Sequence, residues 1–133
     1  MSTSKAGQIR IVRDFIAALN ARDLAAVARL YAPECKLVDS QGGWVSGYDN
    51  CVEASRRFFE MPFEYDLEID SITARAPDIL VRGTMRSNNA TLANDTLWQA
   101  RTDGKKLTEW ASFARGKAYP VARVLMPEIS RYD

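Results

Sequence analysis

The sequence predicts an α+β domain, with helices gathered in its first half and an antiparallel sheet in its second. Three observations carry this. Apolar residues recur at three- and four-residue spacing between Gln8 and Phe59, whereas from residue 63 to residue 115 they alternate. The turn words Ala76-Pro77-Asp78, Ser87-Asn88-Asn89 and Thr102-Asp103-Gly104-Lys105 cut the alternating half into four strands. The length of 133 residues, 47% of them apolar and 26% charged, is one domain's worth of ordinary globular composition. Residues 1–133 are therefore read as one domain, with 1–7 a loose N-terminus and 116–133 a C-terminal extension.

In the first half, Ile9, Val12, Phe15, Ile16 and Leu19 form one apolar stripe over Gln8 to Asn20, and Asn20 suits the stop. Asp23 is placed to cap a second helix, which buries Leu24, Val27, Leu30 and Tyr31 and breaks at Ala32-Pro33, because proline has no N–H to continue it. The strand that follows sets Cys35, Leu37 and Asp39 on one face, and Lys36 and Val38 on the other. Gln41-Gly42-Gly43 turns the chain, with Trp44 in the loop beyond. Asp49 or Asn50 can cap a third helix carrying Val52, Phe58 and Phe59, which ends near Met61-Pro62.

In the second half the alternation Tyr65, Leu67, Ile69 changes phase to Ile72 and Ala74, which indicates a bulge near Ser71. Strands follow over Ile79 to Arg86, Thr91 to Arg101 and Lys106 to Arg115, the last two joined by the Asp103-Gly104 hairpin. The tail, with Pro120 and Pro127 flanking Ala122 to Met126, is apolar without a clear period.

Composition excludes several classes of function. Lys plus Arg is 18 against 17 Asp plus Glu, so a net charge of +1 leaves no electrostatic footprint for nucleic acid or acidic lipid. No apolar run reaches the roughly 20 residues of a membrane span. The polar start MSTSKAGQ lacks the apolar core of a secretory signal, so the cytoplasm is the expected location and Cys35 and Cys51 are expected to be reduced. There is no histidine, which removes Ser-His-Asp and Cys-His catalysis and histidine metal sites. Proton chemistry is left to carboxylate, tyrosine, lysine, cysteine or water. No carboxylate cluster has metal-ligand spacing, and neither metal nor cofactor is expected.

Four stretches in this order resemble the nuclear transport factor 2-like superfamily, in its ketosteroid isomerase and SnoaL-like (polyketide cyclase-like) branch: F-I-A-A-L-N-A-R-D-L (Phe15 to Leu24), L-Y-A-P-E-C-K-L-V-D (Leu30 to Asp39), W-V-S-G (Trp44 to Gly47) and D-G-K-K-L (Asp103 to Leu107). The resemblance implies a cystatin-like α+β cone, a curved antiparallel sheet wrapped around a pocket and closed by the N-terminal helices. It gives Asp39 the position of a proton-shuttling base. Phe15 and Thr96 stand where ketosteroid isomerases have a tyrosine and a protonated aspartate as oxyanion hole, so classical steroid isomerisation is not expected. Arg82 invites comparison with limonene-type epoxide hydrolases, but Thr84 replaces the acid of their Asp-Arg-Asp set. The superfamily commonly pairs through the outer sheet face, so a homodimer is expected, with Trp110 and Val121 to Met126 covering that face.

On this frame Asp39 is either a general base in a low-dielectric pocket or a strand-end acid satisfying loop amides around Gly42 and Gly43. Alignment through the last hairpin turns Leu107, Glu109, Ala111 and Phe113 toward the pocket and Trp110 and Ser112 outward. Glu109 would then form an acid/base pair with Asp39; facing outward, it would pair with a surface arginine. On the preceding strand Asn94, Thr96 and Trp98 line the pocket, unless a one-residue slip substitutes Asp95 and Leu97. Tyr31, Tyr48 and Tyr65 are alternative hydroxyl donors. Phe15, Trp44, Phe58, Phe59 and Met85 divide between core and lining, and an apolar lining implies an apolar, aromatic or polycyclic ligand. Two functions follow: a cofactor-free lyase or isomerase acting on an apolar carbonyl compound, or a ligand-binding or dimeric assembly module without catalysis.

Overall fold

Helix α1 (Lys5–Ala21) starts at Ser4, whose Oγ accepts the Gly7 N–H. The chain is described here by a computed structural model covering residues 4–116 and 118–132. The loose N-terminus expected over 1–7 is thus corrected from Ser4 onward; residues 1–3 lie outside the described residues. Val12, Phe15, Ile16 and Leu19 form the buried stripe of α1. Arg22 closes the helix in the left-handed region (φ 52°), its N–H reaching the Ala18 and Leu19 carbonyls. Asp23 then accepts the Ala26 N–H and caps α2 (Leu24–Leu30). This helix stops short of Pro33 because Tyr31 is already extended and opens β1 (Tyr31–Val38).

After β1 the order is β2 (Trp44–Ser46), α3 (Tyr48–Phe59), β3 (Tyr65–Arg75), β4 (Asp78–Ser87), β5 (Asn94–Thr102), β6 (Leu107–Ala114) and α4 (Val121–Leu125). Trp44 therefore belongs to a short strand rather than a loop. Helix α3 begins at Gly47 without a side-chain cap, leaving Asp49 and Asn50 inside its first turn. One six-stranded sheet results, ordered β2-β1-β6-β5-β4-β3. β1 runs parallel to β6, a pairing that requires the long crossover supplied by α3 and the meander.

Two bulges bend this sheet. In β3 the register shifts between Ile69 and Ser71, where the change of phase indicated it. Gly83 stands opposite, and a Cβ there would fall 2.1 Å from the Glu68 carbonyl oxygen, so the strands close up only on glycine. In β6, Leu107 pairs with Thr102 while Glu109 pairs with Arg101, leaving Thr108 as the extra residue. This second bulge reverses the expected facing of the strand. Leu107, ahead of the bulge, stays in the core; beyond it Trp110, Ser112 and Ala114 face inward. Glu109, Ala111 and Phe113 turn outward, and Phe113 is 52% exposed.

Helix α1 lies in the concave side of the sheet. Phe15 packs edge-on to Trp110 (centroids 5.0 Å apart) and tilted against Tyr31 (5.7 Å), while Trp110 stacks on Trp98 (6.0 Å). Trp110 thus belongs to the interior and not to the outer sheet face. Asn20 completes the exposed edge of β3: its side chain both accepts the Leu67 N–H (2.8 Å) and donates to the Leu67 carbonyl (3.0 Å). Tyr65 adds a third tie, its hydroxyl donating to the Leu19 carbonyl (2.6 Å) beneath the Arg22 guanidinium. Among the described residues no helix is long and apolar enough to cross a membrane.

Burial pushes the Tyr65 hydroxyl from 10.0 up to about 12 against the pull of Arg22, and burial drives Tyr31 upward as well. A raised phenol favours the protonated form in the fold. Its contribution is therefore complete below pH 10 and lost as pH rises through about 12. Unfolding free energy measured between these limits is expected to fall with pH, and to fall less steeply in Tyr65→Phe.

Candidate functional site

Between α1, the sheet, α3 and the tail lies a cavity of about 150 Å³. Phe15, Trp98 and Trp110 supply aromatic surface, Leu37, Phe58 and Met85 flank them, and among the described residues Asp39 is the one charged side chain in the wall. Asp39 sits just past the end of β1 and is 8% exposed. Its Oδ1 accepts the N–H groups of Gln41 (2.8 Å) and Gly43 (2.9 Å), and its Oδ2 accepts the Ala122 N–H (2.8 Å). The carboxylate thus closes the turn over 39–43 and also faces the cavity. A carboxylate offers about four lone-pair positions, so with three in use Oδ2 retains one.

Strand pairing decides what stands beside it. Val38 pairs with Ala111 in parallel register, which brings Asp39 level with Ser112, and Ser112 pairs with Trp98 on β5. Asp39 thus follows β1 at the height where Ser112 and Trp98 pair on β6 and β5. The Ser112 hydroxyl lines the cavity and hydrogen-bonds no described residue. Ser40, also in the wall, accepts the Ala114 N–H (3.0 Å) and keeps its own proton.

Asn94, Thr96 and Trp98 line the cavity, with the Thr96 proton and one of the two Asn94 amide protons engaged. Asn94 Nδ2 donates to the Thr91 carbonyl (3.2 Å) and Thr96 Oγ1 to the Asn94 carbonyl (3.2 Å). Of the three tyrosines considered as donors, only Tyr31 reaches the cavity. Its hydroxyl lies 2.6 Å from Ser55 Oγ, which gives its single proton to the Cys51 carbonyl (2.9 Å). Tyr31 must then donate to Ser55. Tyr48 and Tyr65 donate to the Ala28 and Leu19 carbonyls.

Phe15 and Phe58 are wall residues; Trp44 and Glu109 are not. The Trp44 ring lies under Lys36 Nζ (4.3 Å), and its backbone pairs with Arg131. Glu109 stands on the outer face, in register with Arg101 and Lys36, because the Thr108 bulge has turned it out. Arg82 is exposed outside the cavity. Val121 to Met126, expected to cover the outer sheet face, instead lies against the cavity, where Val121, Ala122, Leu125 and Met126 form one wall. The thiols of Cys35 and Cys51 are buried; Cys51 donates to the Cys35 carbonyl (3.3 Å), and the neighbouring thiol and burial push Cys35 upward. Among the described residues no group of three potential metal ligands occurs.

Ser112, Ser40 and the closing tail are the groups that sequence reasoning missed. A signal for Ser112 existed in the three-residue step from Leu107 to Trp110, a break of phase like the one between Ile69 and Ile72. Nothing local marks the other two.

Replacing Asp39 by alanine strands three backbone N–H groups at the turn and the tail. Each orphan costs about 1–3 kcal/mol when buried, so Asp39→Ala is expected to lower unfolding free energy in urea by about 3 kcal/mol. Asp39→Asn keeps an acceptor for Gln41 and Gly43 but sets an amide against the Ala122 N–H. It is expected to cost about 1–2 kcal/mol and to speed exchange of the Ala122 amide measured by NMR.

A SnoaL-like domain model matches residues 12–117, from α1 through β6. An LEH-like epoxide hydrolase from M. tuberculosis superposes with a TM-score of 0.71 at 18% identity, over 83% of this chain and 79% of that one. A nuclear transport factor 2-like protein of unknown function from Mesorhizobium loti gives 0.69 at 19%, over 84% and 93%. A protein described as a polyketide cyclase from Sinorhizobium meliloti gives 0.69 at 14%, over 77% and 93%. No functionally curated protein matches in sequence. At these identities the solved structures share the fold, and the match over 12–117 supplies the relationship: the chain belongs to the SnoaL-like domain family of the nuclear transport factor 2-like superfamily.

Proposed function

We propose that this protein is a cofactor-free proton-transfer enzyme, an isomerase or lyase acting on a compact apolar carbonyl compound with Asp39 as general base. The observation that carries the reading is a carboxylate that is the one charged side chain among the described wall residues, at the end of the strand beside the one that carries Ser112. A ketone whose oxygen accepts the Ser112 proton would present its α carbon to the remaining lone pair of Asp39 Oδ2. The base takes the α proton, the electron pair moves to oxygen, and Ser112 stabilises the enolate. Return of the proton to a different carbon completes an isomerisation, and expulsion of a β leaving group completes an elimination. The amides of Gln41 and Gly43 hold the carboxylate still meanwhile. A volume of about 150 Å³ favours a single six-membered ring among the aromatic and polycyclic ligands an apolar lining allows.

A second reading, apolar-ligand binding without chemistry, is favoured by the three amides already bonded to Asp39, since the fold engages three of the roughly four lone pairs a base would use. The two separate on incubation of the protein in D₂O with cyclohexanone or acetophenone, followed by NMR. The enzyme incorporates deuterium at the α carbon above background, Asp39→Asn returns the rate to background, and Ser112→Ala lowers it about 100-fold. Bound ketone that gains no deuterium supports the binding module.

The same reading includes a homodimer through the outer face of β5 and β6, where Phe113 is paired across from Leu97. Phe113→Glu is then expected to halve the mass measured by sedimentation equilibrium, and an unchanged mass removes this face from the interface.

A further inference from the structure

Helix α4 has five residues, too few to hold a helix together in water. It is fastened at both ends by side chains of the cone. At its start Ala122 N–H donates to Asp39 Oδ2 (2.8 Å); at its end Arg57 Nη1, from α3, donates to the Leu125 carbonyl (2.6 Å) and to Glu128 Oε1 (3.0 Å). A negative group at the N-terminal end and a positive one at the C-terminal end match the alignment of the peptide dipoles. Gln41 Nε2 bonds the Ala118 carbonyl (2.8 Å), and Trp44 exchanges two backbone bonds of 2.9 Å with Arg131. Arg57 is oriented in turn by Glu53 (2.7 Å), whose carboxyl Arg56 and Arg57 hold at about 2.

The inner side of this strap is apolar. Ala122, Leu125 and Met126 are 8%, 8% and 2% exposed, and with Val121 they form one wall of the cavity. The family match ends at residue 117, so that wall comes from a segment beyond the matched core. The strap is held by these polar ties and by the packing of Leu125 and Met126, while the ring contacts among Phe15, Trp98 and Trp110 involve no strap residue, so displacing it leaves those contacts in place.

We propose that the segment from Ala118 to Tyr132 sets the size of ligand the cavity admits, with Met126 as the limiting wall residue and Arg57 as the positioning residue that holds the strap shut. Single-ring ketones fit the cavity beside the docked strap; fused-ring ketones need the strap displaced. The inference rests on the ligand-binding part of the proposed function and is independent of proton transfer.

Calorimetric titration of the full chain with acetophenone and with 2-acetylnaphthalene tests it. The wild-type protein is expected to bind the single ring at least about tenfold more tightly, because the second ring collides with the strap. Met126→Ala and Arg57→Ala each remove most of that preference, Arg57→Lys restores part of it, and Arg57→Ala speeds exchange of the Ala122 amide. Should Met126→Ala fail to fold, Arg57→Ala, at a side chain 34% exposed, carries the test. Equal binding of both ketones by the wild-type chain overturns the proposal, as does a preference that survives in folded variants, or binding of neither ketone by any of the proteins. Acetophenone that binds with the expected selectivity but gains no deuterium upholds the strap and removes the enzyme.

Discussion

The carboxylate of Asp39 joins three pieces of chain that nothing else brings together at one point: the end of β1, the turn through Gly43, and the first turn of α4. A buried charge is tolerated only where hydrogen bonds replace the water it has lost, and here backbone N–H groups do so from two directions. One consequence is a rigid turn. Another is that the tail has a charged anchor at the rim of an apolar cavity. A third is that any chemistry at Asp39 shares its oxygen atoms with the fold, so structure and reactivity at this residue are coupled.

The rest of the wall keeps hydrogen-bonding capacity scarce. The Tyr31 proton goes to Ser55 and the Ser55 proton to Cys51, a relay that leaves the phenol with nothing to offer a ligand. Asn94 and Thr96 bond their own strand and the preceding turn. Ser112 and Ser40 are different: the Ser112 hydroxyl bonds no described residue, and Ser40 accepts the Ala114 N–H while keeping its own proton. In a largely apolar wall, two open hydroxyls beside one carboxylate are enough to orient a carbonyl.

Much of the fold was legible because it depends on local pattern. The apolar stripe of α1, the Asp23 cap and the phase change near Ser71 are each written in adjacent residues, and each reappears in the structure. The errors in β6 share one cause. The Thr108 bulge, the inward turn of Trp110 and Ser112 and the outward turn of Glu109 all follow from how β6 pairs with β5, and strict alternation cannot report a residue that drops out of pairing. Asp39 was read with both of its roles open, as base and as ligand of the amides around Gly42 and Gly43. The structure puts the Gln41 and Gly43 amides on it, and the unforeseen partner is Ala122, whose meeting with Asp39 depends on how the tail returns across the cone. Nothing in the neighbourhood of either residue encodes that return.

The parallel pairing of β1 with β6 has a bearing on how the molecule comes into being. Tyr31 meets Leu107 and Lys36 meets Glu109, so the strand that carries the acid acquires its inner neighbour only when the end of the meander exists. Ala122 is 83 residues from Asp39. During synthesis the α1–α2 pair and the β3–β4 hairpin can form early from nearby sequence, while β1 waits with one side unsatisfied. The enclosure is therefore formed late, and a nascent chain has no concave binding surface to occupy until the segment carrying β6 and Ala122 has left the ribosome.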